Sequence, residues 1–164
     1  MKTMVQTFET IKIRPDRLQF LIDNWLFLLL FIGACIYAGA ENAGLESFAV
    51  MAVILLGVYL LLAYISLRRK VFIISSQTLV YDRGIFNRNA DFIELYRVID
   101  FQEKHSFLQQ FFGLKTVIVY SGDRTTPQLY IPGLDVNSDI IAELRTRVEF
   151  NKTRRGVYEI TNRY

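Results

Sequence analysis

Between Asn24 and Ala40 the chain runs for 17 residues without a formal charge, and between Ser47 and Leu67 for another 21. At 1.5 Å per residue the second run spans about 31 Å, close to the roughly 30 Å of a bilayer's hydrocarbon core. The first is shorter. It is lengthened if Leu18 to Ile22 lie among headgroups with Asp23 kept wet, since a carboxylate at mid-membrane costs about 2.5–3.5 kcal/mol. Buried helices of a soluble fold, or a cleaved signal for the first run, are the alternatives. A signal would carry bases directly before a shorter apolar centre, whereas here a second full-length run follows after six residues, Glu41 to Glu46. The pattern therefore predicts a hairpin of two antiparallel membrane helices, 24–40 and 47–67.

After Lys70 the apolar positions regroup into strand-length pieces rich in Val, Ile, Tyr and Phe. Val71 to Ser75 is a short apolar run, "SSQT" a turn, and "LVYDRG" a hairpin arm ending at Gly84. In "ADFIELYRVIDFQEKHS", Ile93 and Leu95 alternate but Val98 and Phe101 slip out of phase, which predicts a bulge or tight turn at Tyr96 and Arg97. "FLQQFFG" reads as a compact connector stopped by Gly113. "LKTVIVYS" and "QLYIPGL" are two further strands around the polar "GDRTTP", with Pro127 near the start of the second. A helix closes the sequence, with Asn137 as N-cap, Asp139 in the first turn, and Ile141, Leu144 and Val148 as its buried stripe. Upstream, "TFETIKI" alternates at Ile11 and Ile13 and supplies a possible extra strand. The expected class is α+β: a two-helix hairpin, then an antiparallel barrel or two-sheet sandwich covered by the C-terminal helix. The parts are an N-terminal segment 1–23, the hairpin 24–67, a folded domain 68–150 and a basic tail 151–164.

Composition supports this division, because 52% hydrophobic residues and a mean hydropathy of +0.24 are high for a soluble chain of 164 residues. Charge sets the orientation. Lys2, Lys12, Arg14 and Arg17 precede the first run, Arg68, Arg69 and Lys70 follow the second, and the connection holds Glu41 and Glu46 with no base. By the positive-inside rule both termini and the domain face the cytoplasm, so the expected location is the inner membrane. Residues 68–164 carry 15 basic against 11 acidic side chains. That excess suits the anionic lipids of the inner leaflet but falls far below the charge density of a nucleic-acid binder.

The order of the pieces resembles the bacterial pleckstrin-homology (PH) domain of the second type, a family often found behind a pair of membrane helices. The likeness rests on "LVYDRGIFNRNADFIELYRVIDFQ", where Gly84 ends a strand, Ile85 and Phe86 form an apolar pair, Arg88 follows, and Ile93, Leu95, Arg97 and Val98 keep the family's rhythm. It continues through "FLQQFFGLKTVIV", through "LYIPGL" with Pro132 and Gly133, and back to the Arg-Pro lead-in of "IRPDRLQF". The resemblance implies two roughly orthogonal antiparallel sheets plugged by a helix. Asp91 departs from it by interrupting a basic strip, and the tail "NKTRRGVYEITNRY" has no counterpart. These are packing and turn motifs, specific for fold and nearly silent on function.

Candidate chemistry is sparse. His105 is the single histidine, beside Lys104 and Ser106, and reads as a surface residue; Cys35 is the single cysteine and reads as a small helix-packing residue. With no companions these give neither a metal site nor a disulfide. Asp100 and Glu103 have the spacing of a solvated strand face, and no phosphate-binding glycine loop or nucleophile elbow occurs. The expectation is a non-enzyme without cofactor or metal. A transporter is also disfavoured, since neither apolar run holds a mid-membrane Asp, Glu, Lys or Arg to mark an ion path; Gly33, Ala34, Ala38 and Gly39 allow close helix approach, within the hairpin or to a neighbour. The site expected is one of anionic membrane contact: Arg68, Arg69 and Lys70 at headgroup depth, extended by Arg83 and Arg88 on either side of a turn. The tail bases Lys152, Arg154, Arg155 and Arg163 suit a polybasic arm. Alternatively Val157, Tyr158, Ile160 and Tyr164 add a strand to a partner, or the tail is disordered. The reading is a membrane-anchored adaptor that binds another protein or copies of itself, the alternative being a sensor of anionic headgroups.

Overall fold

The computed structural model describes residues 8–40 and 46–156. Lys2, Glu41 and the tail residues Val157, Tyr158, Ile160, Arg163 and Tyr164 lie outside them. After a short N-terminal strand come two helices, α1 (Leu18–Ala38) and α2 (Glu46–Arg69). Both are long and apolar enough to cross a membrane, and only 11% and 6% of their apolar windows are buried. A core helix of a soluble fold would be mostly covered.

α1 starts six residues before the charge-free run. Pro15 ends the preceding extended segment, the Asp16 carboxylate accepts the Leu18 N–H at 2.8 Å, and the Gln19 side-chain amide donates to the Asp23 carboxylate at 2.7 Å. Asp23 is thus satisfied inside the helix. The helix kinks at Asn24 (φ −119°, ψ 16°), whose side-chain amide donates to the Phe20 carbonyl at 3.1 Å. This kink separates a mixed first turn and a half, which holds Gln19 and Asp23, from the charge-free remainder.

The hairpin is zipped by aromatic contacts, Phe27 with Tyr59 at 4.7 Å and Phe20 with Tyr64 at 5.5 Å. The Tyr59 hydroxyl also donates to the Asn24 side chain at 3.3 Å. Close approach occurs at Gly57, where a Cβ would sit 3.5 Å from the Phe31 ring. Gly33 has open space and Cys35 is exposed, so neither packs within this chain as the sequence suggested.

Sheet one has the order β1 (Ile11–Ile13), β2 (Val71–Ile74), β3 (Thr78–Arg83), β4 (Asn89–Glu94), all antiparallel. The N-terminal segment does add its strand, with Ile13 opposite Phe72. A 3-10 turn at Leu95–Arg97, where the alternation slips, carries the chain into sheet two: β5 (Val98–Lys104), β6 (Leu114–Ser121), β7 (Gln128–Asp135). The two sheets do not close into a barrel. Between β5 and β6, α3 (Phe107–Phe111) begins with a reciprocal cap in which the Ser106 hydroxyl accepts the Gln109 N–H and Gln109 Oε1 accepts the Ser106 N–H. The core between the sheets holds Phe72, Ile74, Leu79, Ile93, Leu95, Val117, Val119 and Ile131.

α4 (Ile140–Arg155) covers the core with Ile140, Leu144 and Val148, while Ile141 is only partly buried. The cap differs from the expected Asn137. That residue's N–H donates to the Asp135 carboxylate at 2.7 Å in the preceding turn, so the helix starts later and Asp139 takes the capping position without a side-chain bond.

Candidate anion-binding junction

α2 and β2 are separated by one residue, Lys70, so the helix delivers its last turn directly onto the edge of the domain. Strand pairing fixes what it meets. Val71 lies opposite Asp82, and Phe72 opposite Tyr81. Because strand side chains alternate between faces, Asp82 points one way and Tyr81 and Arg83 the other.

On the Asp82 side, Arg14, Arg68, Arg69 and Arg88 surround a recess of about 340 Å³ with Val71 and Gly84. The Arg88 guanidinium donates to the Asp82 carboxylate at 2.7 Å, and this bond and charge raise its pKa further. The recess thus sets four guanidinium groups beside one carboxylate, which Arg88 engages, an excess of positive charge that favours an oxyanion, because planar guanidinium groups donate to phosphate oxygens in pairs. Arg14 arrives through β1, whose pairing with β2 brings the residue after Ile13 beside Val71. In the sequence Arg14 reads only as a topogenic base, although the alternation at Ile11 and Ile13 is the signal that places it.

Lys70 and Arg83 line a second recess of similar size with Tyr81, Asp91, Gln128, Tyr130 and Pro132. Here Arg83 lies 3.3 Å from the Asp91 carboxylate and 5.3 Å from the Tyr81 ring centre. Burial raises the Tyr81 pKa, opposed by the nearby Arg83 charge. The five bases singled out from the sequence therefore divide into Arg68, Arg69 and Arg88 on one side and Lys70 and Arg83 on the other. Asp91, the interruption in the basic strip, is the partner of Arg83.

β7 passes along the same end of the domain. Its first half flanks Lys70, and Gly133 (φ +68°) lies against the start of α1, where its carbonyl accepts the Asp16 N–H at 2.9 Å. A Cβ at Gly133 would come within 3.0 Å of the Asp16 nitrogen and Gln19 Cβ. Gln19 also accepts from the Gln109 side-chain amide at 2.9 Å, and the same nitrogen lies 2.7 Å from the Thr116 hydroxyl. A polar relay thus runs Thr116, Gln109, Gln19, Asp23, buried at its two glutamines and open to the outside at Asp23, and ties the domain to α1.

The remaining candidates lie elsewhere. Glu103 pairs with the buried Lys115 at 2.7 Å, and His105 stands 4.0 Å from Glu103. Among the described residues no group of three or more His, Cys, Asp or Glu side chains converges as a metal site. Lys152 and Arg154 fall in the last turn of α4 with Arg155, which reaches Glu94 at 3.5 Å and lies 4.1 Å from the Tyr96 ring.

No curated protein and no solved structure matches the chain. A family model described as bacterial PH domain matches residues 27–161, from within α1 through the end of α4. With two antiparallel sheets, a covering helix and a match over most of its length, the chain belongs to the bacterial PH domain family.

Proposed function

We propose that the chain is a non-catalytic adaptor anchored in the inner membrane by the α1–α2 hairpin, with both termini and the PH-like domain on the cytoplasmic side. The domain is held close to the anionic leaflet and offers its outer surface to another protein or to copies of itself. The observation that carries this reading is the junction: one residue links α2 to β2, the Gln19–Gln109 relay braces α1, and four arginines gather where the helix ends. A domain coupled at both helices cannot range freely, which suits a fixed docking platform. Family membership supports a protein or lipid interaction module.

The arginine recess favours a second reading, a sensor of an anionic headgroup. The two separate in one experiment on the full chain, extracted in mild detergent and weighed intact, then reconstituted in bilayers with graded anionic lipid. An adaptor gives an assembly heavier than one chain and lipid attraction that fades with salt. A single chain that keeps one lipid through high salt overturns the adaptor and supports the sensor.

A further inference from the structure

The largest unexplained surface feature of the domain is aromatic. Among the described residues of the domain, Phe86, Phe107 and Phe111 are the most exposed large apolar side chains, at 86%, 83% and 81%, ahead of Ile99 at 66% and Phe92 at 61%. Phe107 and Phe111 are four residues apart on α3 and share one side of it. Gln109, on the other side, is buried against Gln19 and Thr116.

The level of α3 is set by its neighbours. Gln19 is six residues before Trp25, the first ring of the charge-free run, or about 9 Å along the helix axis. Interfacial segments sink apolar faces about 5–10 Å into the boundary between headgroups and acyl chains, so α3 stands at the depth where that boundary is expected. Trp25 itself is 52% exposed, as suits an aromatic residue at a membrane interface. Phe86 belongs to the turn whose Gly84 and Arg88 line the recess with Arg68 and Arg69, at the exit of α2. One aromatic group therefore lies beside the entry of α1 and another beside the exit of α2, with the arginines next to the latter.

We propose that Phe107 and Phe111, together with Phe86, form an aromatic foot that dips into the headgroup–acyl boundary of the leaflet from which the hairpin enters. Lipid is the occupant because these exposed rings stand beside the two exposed apolar helices, α3 against α1 and the Phe86 turn at the exit of α2, and because the neighbouring bases match an anionic headgroup layer. The foot would add a third point of support to the two helix attachments and so set the tilt of the domain. The inference rests on the membrane reading of the hairpin.

The single tryptophan makes a direct test. The full chain carrying Trp25→Phe with Phe107→Trp, and separately with Phe111→Trp, is reconstituted in phosphatidylcholine and phosphatidylglycerol vesicles brominated either near the carbonyl or near the chain end. The foot predicts blue-shifted emission, quenched more strongly by the shallow bromines than by the deep ones, and protection from iodide. Emission at both positions that iodide quenches and brominated lipid does not would overturn it. So would a blue shift that grows only with protein density and ignores bromine, which marks a contact between copies. Trp25 in the unaltered chain is the reference: if it too escapes lipid quenching, the membrane reading itself fails, whereas a quenched Trp25 beside unquenched indoles on α3 removes the foot alone.

Discussion

Arg147 is 2% exposed and none of its donors is idle. Its guanidinium gives hydrogen bonds to the carbonyls of Ile74, Ser75 and Glu9 at 3.2, 3.1 and 2.7 Å, and pairs with Glu143 at 2.7 Å. One side chain thus joins α4 to the β2–β3 turn and to the approach of β1, with the Phe8 ring 5.1 Å away. Removing the guanidinium leaves the carbonyls of Ile74, Ser75 and Glu9 without their donor, while Glu143, partly exposed, stays solvated; each unmatched buried group costs about 1–3 kcal/mol. Arg147→Met is expected to lower the thermal unfolding midpoint of the detergent-solubilised chain sharply. Arg147→Lys should recover only part of the loss, because one ammonium cannot span three carbonyls and a carboxylate. A midpoint for Arg147→Met within a degree or two of the parent would contradict this. In the sequence Arg147 looks like Arg145 or Arg154, another base in a basic helix, and only its place one turn beyond Leu144 hints that it turns inward. Periodicity marks where a side chain points but not that a guanidinium will find carbonyls there, since those come from segments some 70 and 140 residues away.

Among the elements, the β3–β4 turn is the most constrained. Gly84 has φ +122°, and a Cβ there would lie 1.7 Å from the Asn87 carbonyl oxygen, a backbone atom that cannot swing aside. Gly84→Ala must rebuild the turn. The backbone strain alone is of order 1–3 kcal/mol, and the clash adds to it. The expected result is a less stable domain in which Arg88 has left Asp82, read as lost protection of the β3 and β4 amides in hydrogen exchange with the α4 amides less affected. Equal protection throughout would mean that the turn tolerates a side chain.

The strands, the connector at α3 and the break before β5 were legible because each is announced locally, by alternation, by glycine or by a phase slip. The start of α1 at Leu18 was legible only as an extension that depends on Asp23 staying wet. Asp23 read as the edge of an apolar run, and only its bond to Gln19 makes it an interior helical residue. The candidate site was legible to a similar degree. Arg68, Arg69 and Arg88 were found as bases near a junction, but their separation from Arg83 depends on which face each strand residue takes, and Arg14 enters through a pairing 60 residues away in sequence.

For the whole molecule, the question is whether the bases act as one charge or as two groups with different tasks. Each base near an anionic surface contributes about 1 kcal/mol, fading within a Debye length. Counted that way, removing any of them would weaken the domain's hold on the leaflet alike. Pairing predicts otherwise. Arg83, half exposed, already has Asp91 at 3.3 Å and the Tyr81 ring beside it, so its charge is partly offset, whereas Arg14, Arg68, Arg69 and Arg88 line a recess whose one carboxylate, Asp82, is engaged by Arg88. In full-length chain reconstituted with anionic lipid, Arg14→Gln, Arg68→Gln and Arg69→Gln together should expose the domain to protease at lower salt than the parent requires. Arg83→Gln should leave that salt threshold nearly unchanged, and should instead release Asp91. If Arg83→Gln shifts the threshold as far as the triple change does, the bases form one undivided surface and the recess has no special part in orienting the domain. If neither shifts it, the hold on the membrane comes from the helices and the relay through Gln19 and Gln109, without help from charge.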